Sequence, residues 1–244
     1  MAQPNSLRAS RGTPSTLIFG NRLLGGIYEL LTSQDLWRRH SAGLLEHGRQ
    51  SDVRSMHTVL DLGCGPGEST FALAEELGDA VTVHGIDKHV AMVNRAQARA
   101  RRLACGNVSF AVADARRLDL ASSTVDLVVG HSFLYLIPPA DRDAVLAEAT
   151  RVLRPGGRLV LMEPNADGSV LASLRHAPLR QAIGRPVTSL RFATSLVLWR
   201  VVSGISGRPT RGELARRFAH AGLESITITP TLGNLGLFAA GHKK

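Results

Sequence analysis

The sequence predicts an α/β fold with a doubly wound, seven-stranded sheet that is mostly parallel and ends in an antiparallel hairpin. After Thr58, short runs of β-branched residues alternate with helical patterns, an order typical of parallel strands joined by right-handed crossovers. Near the C terminus, only the short turn at 230–234 separates two strand patterns, so these strands are expected to pair antiparallel. A parallel sheet that closes with a hairpin is more specific than a generic nucleotide-binding fold.

The N-terminal part is predicted to lie outside this sheet. Residues 1–21 are rich in Ser, Arg, Pro, Gly and Asn, which predicts a poorly ordered tail. Apolar residues at helical spacing follow, and they predict a helical cap at 22–57.

Residues 58–165 carry most of the alternation and form the predicted ligand-binding core. Strands are predicted at 58–62, 81–86, 108–112, 125–130 and 158–162. Helices are predicted at 68–77, 89–103 and 141–153. The Pro-Gly-Gly run at 155–157 is expected to stop the last of these helices.

Residues 166–207 interrupt the alternation as a basic, apolar insertion or lid. Its arginines are Arg175, Arg180, Arg185, Arg191 and Arg200. Arginines interleaved with apolar residues are typical of an interfacial amphipathic helix, and a lid that packs on the core with a solvated basic face is the alternative. Trp199 and Phe192 are expected in the core rather than against a substrate. Residues 208–244 complete the core, with a helix at 211–221 and strands at 223–229 and 235–240.

Composition narrows the class of protein. The 244 residues correspond to one large domain with additions, and a mean hydropathy of +0.03 with 44% hydrophobic residues excludes a disordered, collagen-like or coiled-coil chain. The only cysteines, Cys64 and Cys105, cannot form a disulfide framework or a four-ligand zinc site, and no metal is predicted. With two cysteines, a reducing cytosol is the expected compartment, and the apolar runs are shorter than the roughly 20 residues that cross a bilayer.

The charge balance favours anionic partners. The net charge is +9, and only three of the 29 basic residues are lysines. An arginine-rich surface suits phosphate groups, lipid headgroups or acidic substrates through charge and bidentate geometry. The alternative is that arginine usage reflects genome composition and solubility.

The most informative motif is a glycine turn between the first strand and the first core helix. Gly63, Gly65 and Gly67 stand at alternate positions after Asp61, where they allow the backbone to approach a ligand closely. The helix that follows presents free N–H groups at its N terminus. A dinucleotide fingerprint would have its third glycine at position 68, where Glu68 would repel a pyrophosphate. The loop therefore suits a nucleoside ligand without phosphates better than NAD.

Acidic residues follow or end the first three strands of the predicted sheet. Asp87 at the end of the second strand can accept both ribose hydroxyls of an adenosine, and Asp114 after the third can accept the adenine amine. With Asp61, they lie at the edge where open α/β sheets bind ligands. Each acid alone is equally consistent with a helix cap or a turn residue. Together with the glycine loop, they indicate a nucleoside site.

With these motifs, residues 58–241 resemble the class I S-adenosylmethionine-dependent methyltransferases, which have a Rossmann-like fold. The matching segments are the loop at 61–67, Asp87, Asp114, the fourth strand with His131 and Ser132, and the run at 151–157. The resemblance implies that S-adenosyl-L-methionine is the cofactor. It implies that Asp61 holds the α-amino group, that the three glycines pass under the methionyl and ribose parts, and that Asp87 and Asp114 bind ribose and adenine. The remaining implied contacts are Cys64, Lys88, Ala115 and His131.

The family chemistry is in-line displacement at a methyl carbon, so alignment and exclusion of water are the main tasks of the enzyme. A general base is needed only if the acceptor arrives protonated, and His131 is the best placed candidate, with a structural role as the alternative. The aspartate or asparagine, Pro-Pro, aromatic motif of nucleic-acid amino methyltransferases is absent at 130–133. This absence counts against methylation of a base amino group.

Tyr28 and Trp37 lie in an N-terminal segment similar to that of the ubiquinone/menaquinone C-methyltransferases. The resemblance implies a small, apolar acceptor such as a quinol, an aminolipid or a secondary metabolite, with these two residues as acceptor contacts. RNA as the acceptor and a non-catalytic cofactor-binding protein are the alternatives. Peripheral contact with an anionic membrane surface stays open, as does the oligomeric state.

Overall fold

The computed structural model describes residues 34–48, 56–169 and 186–244 of the chain. Side chains are described from Ser41 in the first helix and from Thr194 in the helix that begins at Pro186. The predicted tail at 1–21 and Tyr28 lie outside the described residues, and so does the side chain of Trp37.

Seven strands form one sheet, flanked by helices. The strands are β1 Thr58–Leu62, β2 Thr82–Asp87, β3 Val108–Val112, β4 Val125–His131, β5 Leu153–Pro164, β6 Leu223–Thr231 and β7 Gly236–Lys243. The described helices are α1 Gln34–Gly48, α2 Glu68–Leu77, α3 Val90–Leu103, α4 Arg142–Val152, α5 Pro186–Ser206 and α6 Arg211–His220, with a 3-10 turn at Leu134–Leu136.

The strand order is β3-β2-β1-β4-β5-β7-β6. Strands β1 to β5 pair in parallel, while β7 pairs antiparallel with both β5 and β6. The predicted fold class, including the C-terminal hairpin, is therefore confirmed. Since β1 has β2 on one side and β4 on the other, the order reverses at β1, which opens a crevice at the carboxyl ends of these strands.

One predicted boundary is wrong at β5. The strand begins at Leu153, directly after α4, and not at position 158. Its pairing with β4 jumps from Val125 and Leu153 to Leu127 and Arg158, so the Pro-Gly-Gly run bulges out of the ladder inside the strand. Gly156 has a φ of +77°, which a residue with a side chain rarely adopts. The run therefore shapes a bulge, and α4 has already ended before it.

Alternating side chains of the central strands supply a core on each face of the sheet. On one face, Leu60 of β1 packs in a cluster with Val145 of α4 and Phe218 of α6. On the other face, Val59 packs in a cluster with Leu44 of α1 and Trp199 of α5. Full burial of such side chains contributes about 1.5–3 kcal/mol each. Helix α5 is thus part of the core, and Trp199 is buried as expected.

Polar contacts also attach α5 to the sheet. Trp199 Nε1 donates a 3.0 Å hydrogen bond to Ser132 Oγ, just after β4. Arg200 donates to the carbonyl oxygens of Asn165, at 2.6 Å, and of Gly168. Arg200 therefore points inward, which corrects the expectation that it belongs to a solvated or lipid-facing basic face. No helix among the described ranges combines the length and apolar character that a membrane span requires.

Candidate functional site

A cleft opens at the carboxyl ends of β1 to β4, where the strand order reverses. The predicted residues that line it are Gly63, Cys64, Asp87, Lys88, Asp114, Ala115 and His131. Asp61, Gly65 and Gly67 lie in the adjoining strand end and loop without lining the cleft. The fold therefore brings residues of four strand ends into one place.

The glycine loop at the base of the cleft needs glycine for two different reasons. Gly63, Gly65 and Gly67 have φ values of +68°, +53° and +93°, a region that side chains disfavour. A Cβ on Gly63 would lie 2.2 Å from Phe133 Cδ2, whereas one on Gly65 would meet nothing within 4 Å. Gly63 is therefore required by packing as well as by conformation, and Gly65 leaves open space beside it.

Asp61 is a fully buried carboxylate behind this loop. Its Oδ2 accepts hydrogen bonds from the hydroxyls of Ser69 at 2.6 Å and Thr70 at 2.7 Å, which join the first turn of α2 to β1. Oδ1 is buried and has no hydrogen-bond partner among the described residues. Burial raises the pKa of Asp61 to about 6. A buried acceptor of this kind fits a cationic amino group, so the residues present are compatible with the cofactor that the resemblance implies.

Asp87 fixes the geometry of the loop from the end of β2. Its Oδ2 accepts the Gly65 N–H at 3.1 Å, and its Oδ1 accepts the His89 N–H at 2.8 Å. The His89 ring nitrogen Nδ1 lies 2.9 Å from the same Oδ1. A carboxylate offers about four lone-pair sites, so Asp87 keeps capacity for a ribose hydroxyl.

Asp114 is ion-paired with Arg116, a partner that the sequence analysis did not predict. The Arg116 guanidinium contacts both of its oxygens, with Nη2 to Oδ2 at 2.6 Å, and reaches Asp141 with Nη1 at 2.9 Å. These hydrogen bonds hold the pKa of Asp114 below its ordinary value. An adenine amine at Asp114 would have to share the carboxylate with Arg116, and this contact stays a prediction.

Glu68 lines the cleft at the start of α2, and its side chain is ion-paired with Arg99 of α3. The expected repulsion of a pyrophosphate by Glu68 is therefore weaker than the sequence implied, because the guanidinium offsets its charge.

Cys64 lines the cleft as a buried, neutral thiol. Burial raises its pKa above the ordinary range, so it is not a thiolate nucleophile at neutral pH. Its backbone N–H donates to the Ile86 carbonyl at 2.9 Å and anchors the loop to β2. Lys88 is exposed at the rim, and Ala115 is buried in the wall.

His131, the last residue of β4, lines the cleft and is half-buried. The next residue, Ser132, has a φ of +52° and donates its N–H to the Met162 carbonyl at 2.7 Å. This left-handed turn bends the chain into the segment that forms the cleft wall. The role of His131 as a base stays a prediction.

Sequence reasoning missed Glu163, near the end of β5. Its carboxylate is fully buried and accepts the backbone N–H groups of Phe133, Leu134 and Tyr135. Burial raises the pKa of Glu163 to about 7, and these hydrogen bonds act in the opposite direction. One signal was available: Glu163 is an acid in an otherwise apolar run, at the same sheet edge as Asp61 and Asp87.

Comparisons with known proteins place the chain in a family. A family model described as a methyltransferase domain matches residues 54–191. A demethylmenaquinone methyltransferase of Bacillus cytotoxicus is 30% identical over 205 residues, which are 83% of this chain and 85% of the relative. An uncharacterized 37.1 kDa protein in transposon TN4556 of Streptomyces fradiae is 33% identical over 82% of this chain. The chain spans about half of that relative, 52% of its length.

Solved structures agree on the fold. The crystal structure of magnesium protoporphyrin IX methyltransferase from Synechocystis, which holds S-adenosylmethionine, superposes with a TM-score of 0.55 at 17% identity. The match covers 86% of this chain and 79% of that one. At this identity, the likeness concerns the fold alone.

Replacing Asp87 tests the cofactor site. We expect Asp87→Ala to weaken the binding of S-adenosylmethionine at least about tenfold, because it would remove the predicted ribose acceptor together with the loop anchor at Gly65. Isothermal titration calorimetry measures the change. Asp79→Ala, at an exposed position after α2, is the matched control and should bind like the wild type. Unchanged affinity in Asp87→Ala would contradict the site assignment.

The raised pKa of Asp61 predicts a pH-dependent stability. A buried acid with a pKa of about 6 binds more protons in the folded than in the unfolded state, so its contribution is present below pH ~4 and lost as pH rises through ~6. Relative to Asp61→Asn, the wild type should lose about 2–3 kcal/mol across this window. Urea denaturation at several pH values measures the difference. Parallel stability curves for the two proteins would contradict a raised pKa.

Proposed function

Because the chain belongs to the class I S-adenosylmethionine-dependent methyltransferases, we propose that it methylates a small, apolar acceptor such as a quinol, an aminolipid or a secondary metabolite. One observation carries the proposal: Gly63 and Cys64 of the glycine loop line the same cleft as an apolar wall. The wall consists of Phe133, Tyr135, Leu136 and Ile137, which follow β4 directly.

The apolar wall distinguishes between acceptor classes. Binding of an apolar acceptor is favoured by about 25 cal/mol for each Å² of apolar surface that leaves water. A nucleic-acid acceptor would instead need cationic side chains around the cleft for its phosphates. Lys88 is the cationic residue among those that line the cleft, while the nearby Arg99 and Arg116 are paired with Glu68 and Asp114. The name of the Bacillus cytotoxicus relative, a demethylmenaquinone methyltransferase, supports an acceptor of quinone type.

The residues of the chain have three tasks in this reaction. S-adenosylmethionine, when bound, would supply the methyl group: a nucleophilic atom of the acceptor would bond to the methyl carbon in line as the carbon–sulfur bond breaks and S-adenosylhomocysteine leaves. Asp61, Asp87 and the glycine loop would hold the cofactor, and the apolar wall would orient the acceptor and exclude water. His131 would take a proton at one of its ring nitrogens if the nucleophile of the acceptor arrives protonated.

A labelling experiment tests the acceptor class. The protein is incubated with methyl-labelled S-adenosylmethionine and an extract of its source cells, and products are separated into organic, nucleic-acid and aqueous fractions. We expect label in the organic fraction, with Asp87→Ala as the inactive control. Label in nucleic acid would contradict the proposal and favour an RNA acceptor. Label confined to the aqueous fraction would show that the acceptor is polar.

We further propose that α5 contacts an anionic membrane surface, from which an apolar acceptor is supplied. Val197, Val201 and Ile205 are 56%, 55% and 66% exposed, and their spacing places them along one side of the helix. The helix is joined to the cleft through Trp199 and Ser132. The net charge of +9 complements an anionic bilayer.

Charge substitution on this stripe tests the membrane contact. We expect Val201→Asp to reduce co-sedimentation with phosphatidylglycerol vesicles several-fold. A carboxylate at this position opposes insertion of the helix face into the bilayer and is repelled by anionic lipid. Leu103→Asp is the control, since Leu103 is 50% exposed on α3 rather than on α5. Equal binding by the wild type and Val201→Asp would contradict the contact.

A further inference from the structure

Glu163 is a buried acidic residue that none of the roles described so far uses. It lies next to the last residue of β5, pairs in register with Leu237 of β7, and has no exposed surface. Its Oε1 accepts the N–H groups of Phe133 at 3.0 Å and Leu134 at 2.7 Å, and its Oε2 accepts the N–H of Tyr135 at 3.0 Å. These donors stand at the start of the 3-10 turn, where backbone N–H groups have no partner within the turn.

The three bonds attach the turn to the sheet through one side chain. An ionised carboxylate makes charge-assisted hydrogen bonds that are about twice as strong as neutral ones. Arg142 of α4 holds the other side of the same segment, with Nη2 3.3 Å from the Tyr135 carbonyl oxygen and Nε 3.1 Å from the Ile137 carbonyl oxygen. The cleft wall is thus held between the buried carboxyl group of Glu163 and the buried guanidinium of Arg142.

This segment also determines the position of the glycine loop. The Phe133 ring occupies the space that a Cβ on Gly63 would need, 2.2 Å from Phe133 Cδ2. Displacement of the Phe133 backbone would therefore shift the ring that packs on the loop. Tyr135 lines the cleft from the same turn and would move with it. A change at Glu163 reaches the cofactor side of the cleft through direct contacts.

We propose that Glu163 is a positioning residue for cofactor binding, which holds the backbone of 133–135 so that the cleft wall packs against the glycine loop. The inference rests on the proposed location of S-adenosylmethionine in this cleft. Glu163 does not line the cleft and acts only through Phe133, Leu134 and Tyr135.

The test compares two identical substitutions. Glu163→Gln keeps the size of the side chain but replaces one acceptor oxygen with an amide donor, so at least one of the three N–H groups loses its partner. Glu148→Gln is the matched control, because Glu148 Oε2 accepts the Leu118 N–H at 2.9 Å and neither residue lines the cleft. Calorimetry well below the melting temperature of each variant measures the Kd for S-adenosylmethionine.

We expect Glu163→Gln to raise this Kd at least about tenfold and Glu148→Gln to leave it within about twofold. Hydrogen exchange should be faster at the amides of 133–135 in Glu163→Gln alone. A lower melting temperature with an unchanged Kd would overturn the proposal, because it would show a structural role only. If Glu163→Gln does not fold, Glu163→Asp keeps the charge on a shorter arm and should show the same loss of affinity; wild-type affinity in that variant would overturn the proposal.

The proposed site and the positioning role fail in distinguishable ways. If Asp87→Ala binds S-adenosylmethionine like the wild type, the cofactor lies elsewhere and both proposals are wrong. If Asp87→Ala loses affinity while Glu163→Gln and Glu163→Asp keep it, the site stands and the positioning role is overturned.

Discussion

The site depends on the contact between Gly63 and Phe133. The glycine loop leaves β1 with a positive φ, and the Phe133 ring fills the space where any other residue would carry its Cβ. One partner follows β1 and the other follows β4, the two strands at which the sheet order reverses. The contact therefore joins both sides of the crevice, and it sets the distance between the loop that would hold a cofactor and the wall that would face an acceptor.

Two buried carboxylates keep these sides in place. Asp61 attaches α2 to β1 by accepting two hydroxyl hydrogen bonds from that helix. Glu163 attaches the backbone that follows β4 to β5 by accepting three N–H groups. Burial raises the pKa of both acids, to about 6 and about 7, which means that their ionised forms are costly in the fold. The hydrogen bonds that each carboxylate accepts offset part of this cost and fix its direction. The two sides of the cleft are therefore positioned by directional bonds and not by apolar packing alone.

Hydrophobic periodicity predicted the fold, because the spacing of apolar residues within each short segment indicates a strand or a helix. Asp87 could be placed at the cleft from the sequence, since the carboxyl ends of parallel strands share one edge. The partners of charged groups could not be predicted in the same way. Arg99 reaches Glu68 across 31 residues, and the backbone after β4 reaches Glu163 across about 30. Such pairs depend on side-chain directions that only the assembled fold determines, and Arg200 was placed wrongly for the same reason.

Helix α5 shows how an acceptor could reach the cleft without a separate domain. On its inner side, Trp199 donates to Ser132 beside His131, while Arg200 donates to carbonyl oxygens that follow β5. The apolar stripe of Val197, Val201 and Ile205 lies on the opposite side of the helix and is exposed. The same helix thus carries an exposed apolar stripe and a hydrogen bond to the residue that follows the candidate base. If the proposed membrane contact holds, the hydrogen bond between Trp199 and Ser132 would be the direct connection between α5 and the cleft.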